Sequence, residues 1–137
     1  MSGREWFVDA GYWIAWANSR DIRHARARAL ASGLRRPLVT TEAVLLEVGN
    51  TFARPPWRSV ACSLLSRVRA NPNITIVAVD ADLSARALAL YVARPDKEWG
   101  LTDCVSFVVM QDRGITEALA ADRHFVQAGF RALLRES

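Results

Sequence analysis

Cysteine and lysine are scarce in this 137-residue chain: the cysteines are Cys62 and Cys104, and the one lysine is Lys97. Two cysteines 42 positions apart make neither a zinc motif nor a disulfide framework. A reduced, cytoplasmic protein is therefore expected. No apolar run approaches the roughly 18 residues that a membrane-spanning helix needs. The start, Met1-Ser2-Gly3-Arg4-Glu5-Trp6, lacks the apolar stretch of a secretory signal. Neither G-x-G-x-x-G nor G-x-x-x-x-G-K-[ST] occurs, so nothing supports a Gly-rich phosphate cradle. The lone lysine falls in a loop, and no second acid follows Asp9 at two positions. That removes the acid-plus-lysine arrangement that a haloacid-dehalogenase phosphatase or a receiver domain wants.

What is present is an ordinary globular balance, 51% hydrophobic and 23% charged. The length suits one domain over residues 1–137. The net charge is +4, carried almost wholly by arginine. Guanidinium forks suit bidentate phosphate contacts better than ammonium groups do. Arg20, Arg23, Arg26, Arg28, Arg35 and Arg36 face Asp21 alone in one stretch. Arg54, Arg58, Arg67 and Arg69 form a second stretch with no acid. Such stretches point to a polyanion or to solvated helix faces.

Strand and helix signals alternate along the chain. Trp6-Phe7-Val8 reads as a strand ending at Asp9, followed by a short helix at 12–17. A helix at 22–32 has Asp21 or Ser19 as N-cap and Gly33 as its stop. Pro37–Thr40 is a strand, and Thr41 caps a helix from Glu42 to Phe52. After Pro55-Pro56 a helix spans Trp57–Arg69. The β-branched run 74–79 is the clearest strand. Asp80 caps a helix over 81–91, and Thr102 caps the next. That helix carries Val105, Phe107, Val108, Val109 and Met110, so it is expected at the centre of the domain, stopping near Gly114. A strand at 118–120, a turn of helix at 124–128 and a strand near 132–134 complete the pattern. The expected fold is α/β, three layers, with a central parallel sheet and helices on both faces.

Parallel sheets present functional groups at the carboxyl ends of their strands. Asp9 and Asp122 follow two such strands directly. Asp103 opens the apolar helix, and Glu47 sits in the second turn of the 42–52 helix. Each has a local alternative: Asp9 as a helix cap, Asp103 at a helix dipole, Asp122 in an Asx-turn. Glu47, read as half-buried, has no local job. A carboxylate among apolar neighbours costs several kcal/mol unless it is paired or binds a cation. One metal site accounts for all four acids, and hard oxygen ligands select Mg²⁺ or Mn²⁺. Glu42 points about 140° away from Glu47 around the helix and cannot share that cleft. Asp80 and Asp82 have a capping explanation. His24 and His124 have no partner at ligand spacing along the chain, though His124 follows Asp122 closely enough to border the site.

At these residues the sequence resembles a PIN-domain ribonuclease, specifically a VapC-type toxin of bacterial toxin–antitoxin pairs. The match runs through F-V-D-A-G-Y-W-I-A-W-A-N (7–18), L-V-T-T-E-A-V-L-L-E-V-G-N-T-F-A-R (38–54), L-T-D-C-V-S-F-V-V-M-Q-D-R-G-I-T-E-A-L-A-A-D-R-H-F (101–125) and Q-A-G-F-R (127–131). The third segment is the most specific. The resemblance implies a parallel-sheet fold whose acids Asp9, Glu47, Asp103 and Asp122 bind Mg²⁺ or Mn²⁺ and hydrolyse RNA phosphodiesters. The sequence departs from the family at Ala10 and Gly11, where hydroxyl residues are frequent, and at His124, where some members carry a further acid.

The arginines of the two basic stretches are the expected RNA-backbone contacts. Trp13, Trp16 and Trp57, with the apolar faces of the 42–52 and 57–69 helices, suggest more apolar surface than one small core hides. A homodimer is expected on that ground. The resemblance adds an antitoxin partner that blocks the site. A housekeeping RNA-processing nuclease and a catalytically weak PIN-fold RNA- or protein-binding module are the alternatives.

Overall fold

The computed structural model describes residues 4–32 and 35–136. Five strands, all paired in parallel, form one sheet in the order β3-β2-β1-β4-β5. The strands are β1 (Trp6–Val8), β2 (Leu38–Thr41), β3 (Ile74–Val77), β4 (Glu117–Leu119) and β5 (Arg131–Ala132). Between them run α1 (Ala10–Ala17), α2 (His24–Ser32), α3 (Glu42–Thr51), α4 (Trp57–Ala70), α5 (Ala81–Ala93), α6 (Leu101–Arg113) and α7 (Arg123–Gln127). A 3₁₀ turn, Leu133–Arg135, follows β5. All four residues of β2 are buried, which requires cover on both faces of the sheet. The expected three-layer α/β fold with helices on both faces is the one observed.

Local signals set most boundaries. The Thr41 hydroxyl accepts the N–H of Val44, and Asp80 accepts that of Leu83, so both cap their helices as expected. Gly114 closes α6 with φ 67°, a left-handed value that glycine takes without a Cβ clash. Residues Cys104 to Met110 are all buried, so α6 is the central helix that its apolar run implied. Phe107 packs its ring 5.1 Å from Trp99, 5.0 Å from Phe125 and 5.7 Å from Phe130.

Other expectations are corrected. Helix α1 begins at Ala10, two residues earlier than its periodicity suggests, because the Asp9 carbonyl already accepts the N–H of Tyr12. Neither Asp21 nor Ser19 caps α2. Asp21 instead closes a turn, its carboxylate accepting from Arg23 N–H and its carbonyl from His24 N–H, and the helix starts at His24. The expected stop at Gly33 lies outside the described residues. Thr102 does not cap α6; it lies inside the helix, and Gly100 holds the cap position. Strand β3 ends at Val77, and the Val79 N–H is given to Glu42 instead of a neighbouring strand. The tryptophans are not left over. Trp13 is buried in the core, Trp57 stacks on Phe52 at 5.0 Å, and Arg28 lies 4.1 Å from the Trp16 ring centroid. The exposed large apolar residues lie elsewhere, at Ile22, Leu46, Leu88, Tyr91, Val92, Leu101 and Val126.

Candidate active site

Strand pairing assembles the site. Val8 lies opposite Leu119, and the Asp9 N–H bonds the Leu119 carbonyl at 3.1 Å. The ends of β1 and β4 are thereby aligned, with Asp9 leaving one and Asp122 following the other. The buried Thr40 hydroxyl donates to the Val8 carbonyl at 2.9 Å and pins the residue before Asp9 to β2. Strand β2 runs straight into α3, which carries Glu47.

Asp9 is 7% exposed. It occupies the N-cap position of α1, yet its side chain caps nothing. Among the described residues no arginine, lysine or histidine forms an ion pair with it. Burial and then the like charges of Glu47, Asp103 and Asp122 push its carboxyl up to about 7, against a small opposing effect of the Ala10 N–H. The fit to a cation lies in this combination: a desolvated carboxylate whose charged neighbours are all acids.

Asp103 does two jobs. One oxygen accepts the Gly100 N–H at 3.0 Å, tying down the first turn of α6. The same oxygen lies 3.1 Å from Nδ1 of His124. Burial raises the Asp103 carboxyl, while the Gly100 and His124 contacts pull it back. Asp122 is the N-cap of α7, its Oδ1 accepting the His124 N–H at 2.9 Å. That Oδ1 also stands 3.2 Å from His124 Nδ1. With both carboxyls ionised, each can only accept, so the Nδ1–H tautomer of His124 is the one that satisfies both contacts.

Glu47 reaches solvent from α3, yet its carboxylate is partly desolvated. Desolvation of its carboxylate, then Asp103 and Asp122, raise its pKa. All four sequence-selected acids therefore feel one another electrostatically. Glu42 is elsewhere, bonded to Val79, as its helical angle required. His24 is also apart, with Nδ1 2.7 Å from the Ala15 carbonyl.

His124 is the residue whose part the sequence left open. One donor atom each from Asp103, Asp122 and His124 fall within 4.8 Å of one another, the one such acid–histidine group found among the described residues. The available signal was the Asp122–His124 spacing, which an Asx-capped turn folds into contact.

The PIN-domain family model matches residues 6–131. The chain belongs to the PIN-domain family, in its VapC-type ribonuclease branch. It is 32% identical over 124 residues to the 23S rRNA-specific endonuclease VapC20 of Mycobacterium tuberculosis, in strains CDC 1551 / Oshkosh and ATCC 25618 / H37Rv. That match covers 90% of this chain and 94% of the relative. The crystal structure of Mycobacterium tuberculosis VapC20, a sarcin–ricin loop cleaving toxin, superposes with a TM-score of 0.85 at 30% identity. It covers 92% of this chain and 96% of that one. Among the described residues of this VapC-type chain, no helix is long and apolar enough to cross a membrane.

Proposed function

We propose that this VapC-type ribonuclease is a single PIN domain that hydrolyses RNA phosphodiesters with Mg²⁺ or Mn²⁺ held by Asp9, Glu47, Asp103 and Asp122. The observation that carries the reading is Asp9, a buried carboxylate with no cationic partner among the described residues, whose carboxyl is raised by the like charges of Glu47, Asp103 and Asp122. Hard carboxylate oxygens suit both ions.

When bound, a divalent cation supplies an activated water and neutralises charge on the phosphoryl oxygens. The chain's own part is positioning. Thr40 fixes the strand end that carries Asp9, the Gly100 N–H and His124 orient Asp103, and the turn N–H of His124 orients Asp122. His124 Nδ1–H also offsets negative charge between the two aspartates, which lowers the cost of holding them together before a cation arrives. With no cation present, the Asp9 carboxyl retains a proton to near neutral pH.

The biological role that fits is the toxin of a toxin–antitoxin pair, restrained by a cognate antitoxin protein. Because VapC20 is a 23S rRNA-specific endonuclease, 23S ribosomal RNA is the substrate to assay first. A homodimer is part of the same proposal. Leu88, Tyr91 and Val92, exposed at helical spacing on α5, form the apolar surface proposed for it. The mutual electrostatic influence of Asp9, Glu47, Asp103 and Asp122 supports a nuclease over a catalytically silent binding module. The test is RNA cleavage with and without Mg²⁺ or Mn²⁺, in the parent and in Asp9→Asn. Metal-independent cleavage, or full activity in the variant, would overturn the assignment.

A further inference from the structure

Three arginines, Arg23, Arg26 and Arg135, are oriented by backbone carbonyls. Arg23 Nη1 donates to the Leu134 carbonyl at 2.7 Å, and Arg26 Nε to the Leu133 carbonyl at 3.2 Å. Arg135 Nη1 donates to the Ala121 carbonyl at 3.0 Å, one residue before Asp122. A carbonyl orients a guanidinium but leaves its charge, and its remaining N–H donors, for another acceptor. These three line an open cleft of about 400 Å³ together with Ile22, Leu134 and Glu136. Glu136, the acid on that lining, is already gripped by Arg131 through bonds of 2.6 and 3.1 Å, and Arg26 lends it further stabilisation. Ile22 stands 94% exposed at the rim because the Asp21 turn holds it out of the helix. The Leu134 N–H bonds the Ala120 carbonyl, so the cleft opens beside the end of β4, where Asp122 begins.

We propose that this cleft binds the phosphate backbone of the RNA substrate and leads the strand to the acid cluster. The proposal rests on the RNA-hydrolysing reading above. It also divides the arginines in a way that charge along the chain does not. Only Arg23 and Arg26 of the first stretch take part, and they are joined by Arg135 from neither stretch. Arg28 lies over Trp16, and Arg36 lies over Trp6 and pairs with Glu117. Arg67 and Arg69 of the second stretch stand on α4, which packs against β3, at the sheet edge opposite β5. A cation-lined groove beside a carboxylate cluster resolves an electrostatic conflict. Four acids repel an approaching polyanion, and fixed guanidiniums alongside hold it by bidentate, salt-sensitive contacts. The exposed Ile22 gives the rim an apolar face for a ribose or base.

The test compares two double variants of equal charge, Arg26→Gln with Arg135→Gln and Arg67→Gln with Arg69→Gln. The readout is the Kd of a labelled RNA oligonucleotide by fluorescence anisotropy in EDTA across a salt series, followed by KM and kcat with Mn²⁺. The cleft variant should bind about tenfold more weakly, and its slope of log Kd against log salt should flatten by about 0.7–0.9 per arginine removed. Its KM should rise about tenfold. The α4 variant should keep the parent slope. Arg135→Lys retains the charge and should keep the slope, whereas Arg135→Gln alone should lose about one arginine's share. If the double variant fails to fold by circular dichroism, that single-site pair decides. Equal weakening by both double variants, or a slope unchanged in Arg135→Gln, overturns the cleft. A parent that binds RNA with the expected slopes yet never cleaves it would strike the nuclease reading and leave the cleft standing. A parent that binds no RNA would overturn both.

Discussion

His124 Nδ1 lies 3.1 Å from Oδ2 of Asp103, although 21 positions separate them. The contact joins the first turn of α7 to the first turn of α6. Those turns carry the two aspartates that follow or flank the carboxyl end of β4. One imidazole thereby restrains both acids. Replacing His124 by Ala should raise the Asp103 carboxyl pKa further, because a contact that favours its ionised form is lost. Carboxyl-carbon NMR titration of the metal-free protein would show this. An unchanged Asp103 titration would mean that the contact carries no energy.

Asp103→Asn removes charge while keeping an oxygen that can accept the Gly100 N–H. It should abolish RNA cleavage and weaken Mn²⁺ binding. The metal-free variant should melt within about 1 kcal/mol of the parent, since lost repulsion offsets a weaker cap. Asp103→Ala removes the acceptor as well and should cost about 1 kcal/mol more. A purely structural aspartate would give lost stability in both variants and an unchanged metal response.

Asp9 sets a pH dependence. Its carboxyl titrates at about 7 in the fold, against 3.8 as the ordinary value. The folded state therefore binds the extra proton across that window, and its stability declines as pH rises from about 4 to about 7. The size is on the order of 4 kcal/mol for this one group. Metal-free protein should melt at a lower temperature at pH 8 than at pH 5. Asp9→Asn should flatten the trend, and Mn²⁺ at pH 8 should restore the midpoint by mass action. A melt that rises with pH in the parent would contradict the burial of an unpaired Asp9.

Val92 is 69% exposed on α5, beside Tyr91 and one turn from Leu88. Sedimentation equilibrium should give a dimer for the parent at micromolar concentration and a monomer for Val92→Glu. The substitution should change the stability of the monomer by less than about 0.5 kcal/mol, as exposed positions do. A parent that sediments strictly as a monomer would count against this interface.

Gly114 ends the buried helix with φ 67°. Gly114→Ala should cost about 1–2 kcal/mol, because a Cβ meets the following carbonyl in that conformation. Thermal denaturation would measure it directly.

Short-range features were legible in the sequence because their partners lie within a turn of chain. Thr41 and Asp80 cap the helices that follow them, Gly114 ends α6, and the run from Cys104 to Met110 is buried as its composition required. Asp9 and Asp122 were visible as acids at strand ends for the same local reason. Strand order was not local. The β-branched run at 74–77 announced a strand, but only the parallel order β3-β2-β1-β4-β5 put it at the rim and the shorter β1 at the centre. Propensity reports how a backbone pleats and nothing about its neighbours. That order aligns β1 with β4, and so brings Asp9 near Asp122 and His124 within reach of Asp103. It also separated arginines that looked alike in the sequence. Arg23 and Arg26 are oriented by Leu134 and Leu133, more than a hundred positions away, while Arg67 and Arg69 lie toward the far edge. A charge on the chain is fixed by the sequence; where its field acts depends on which carbonyls and carboxylates the packed sheet sets beside it.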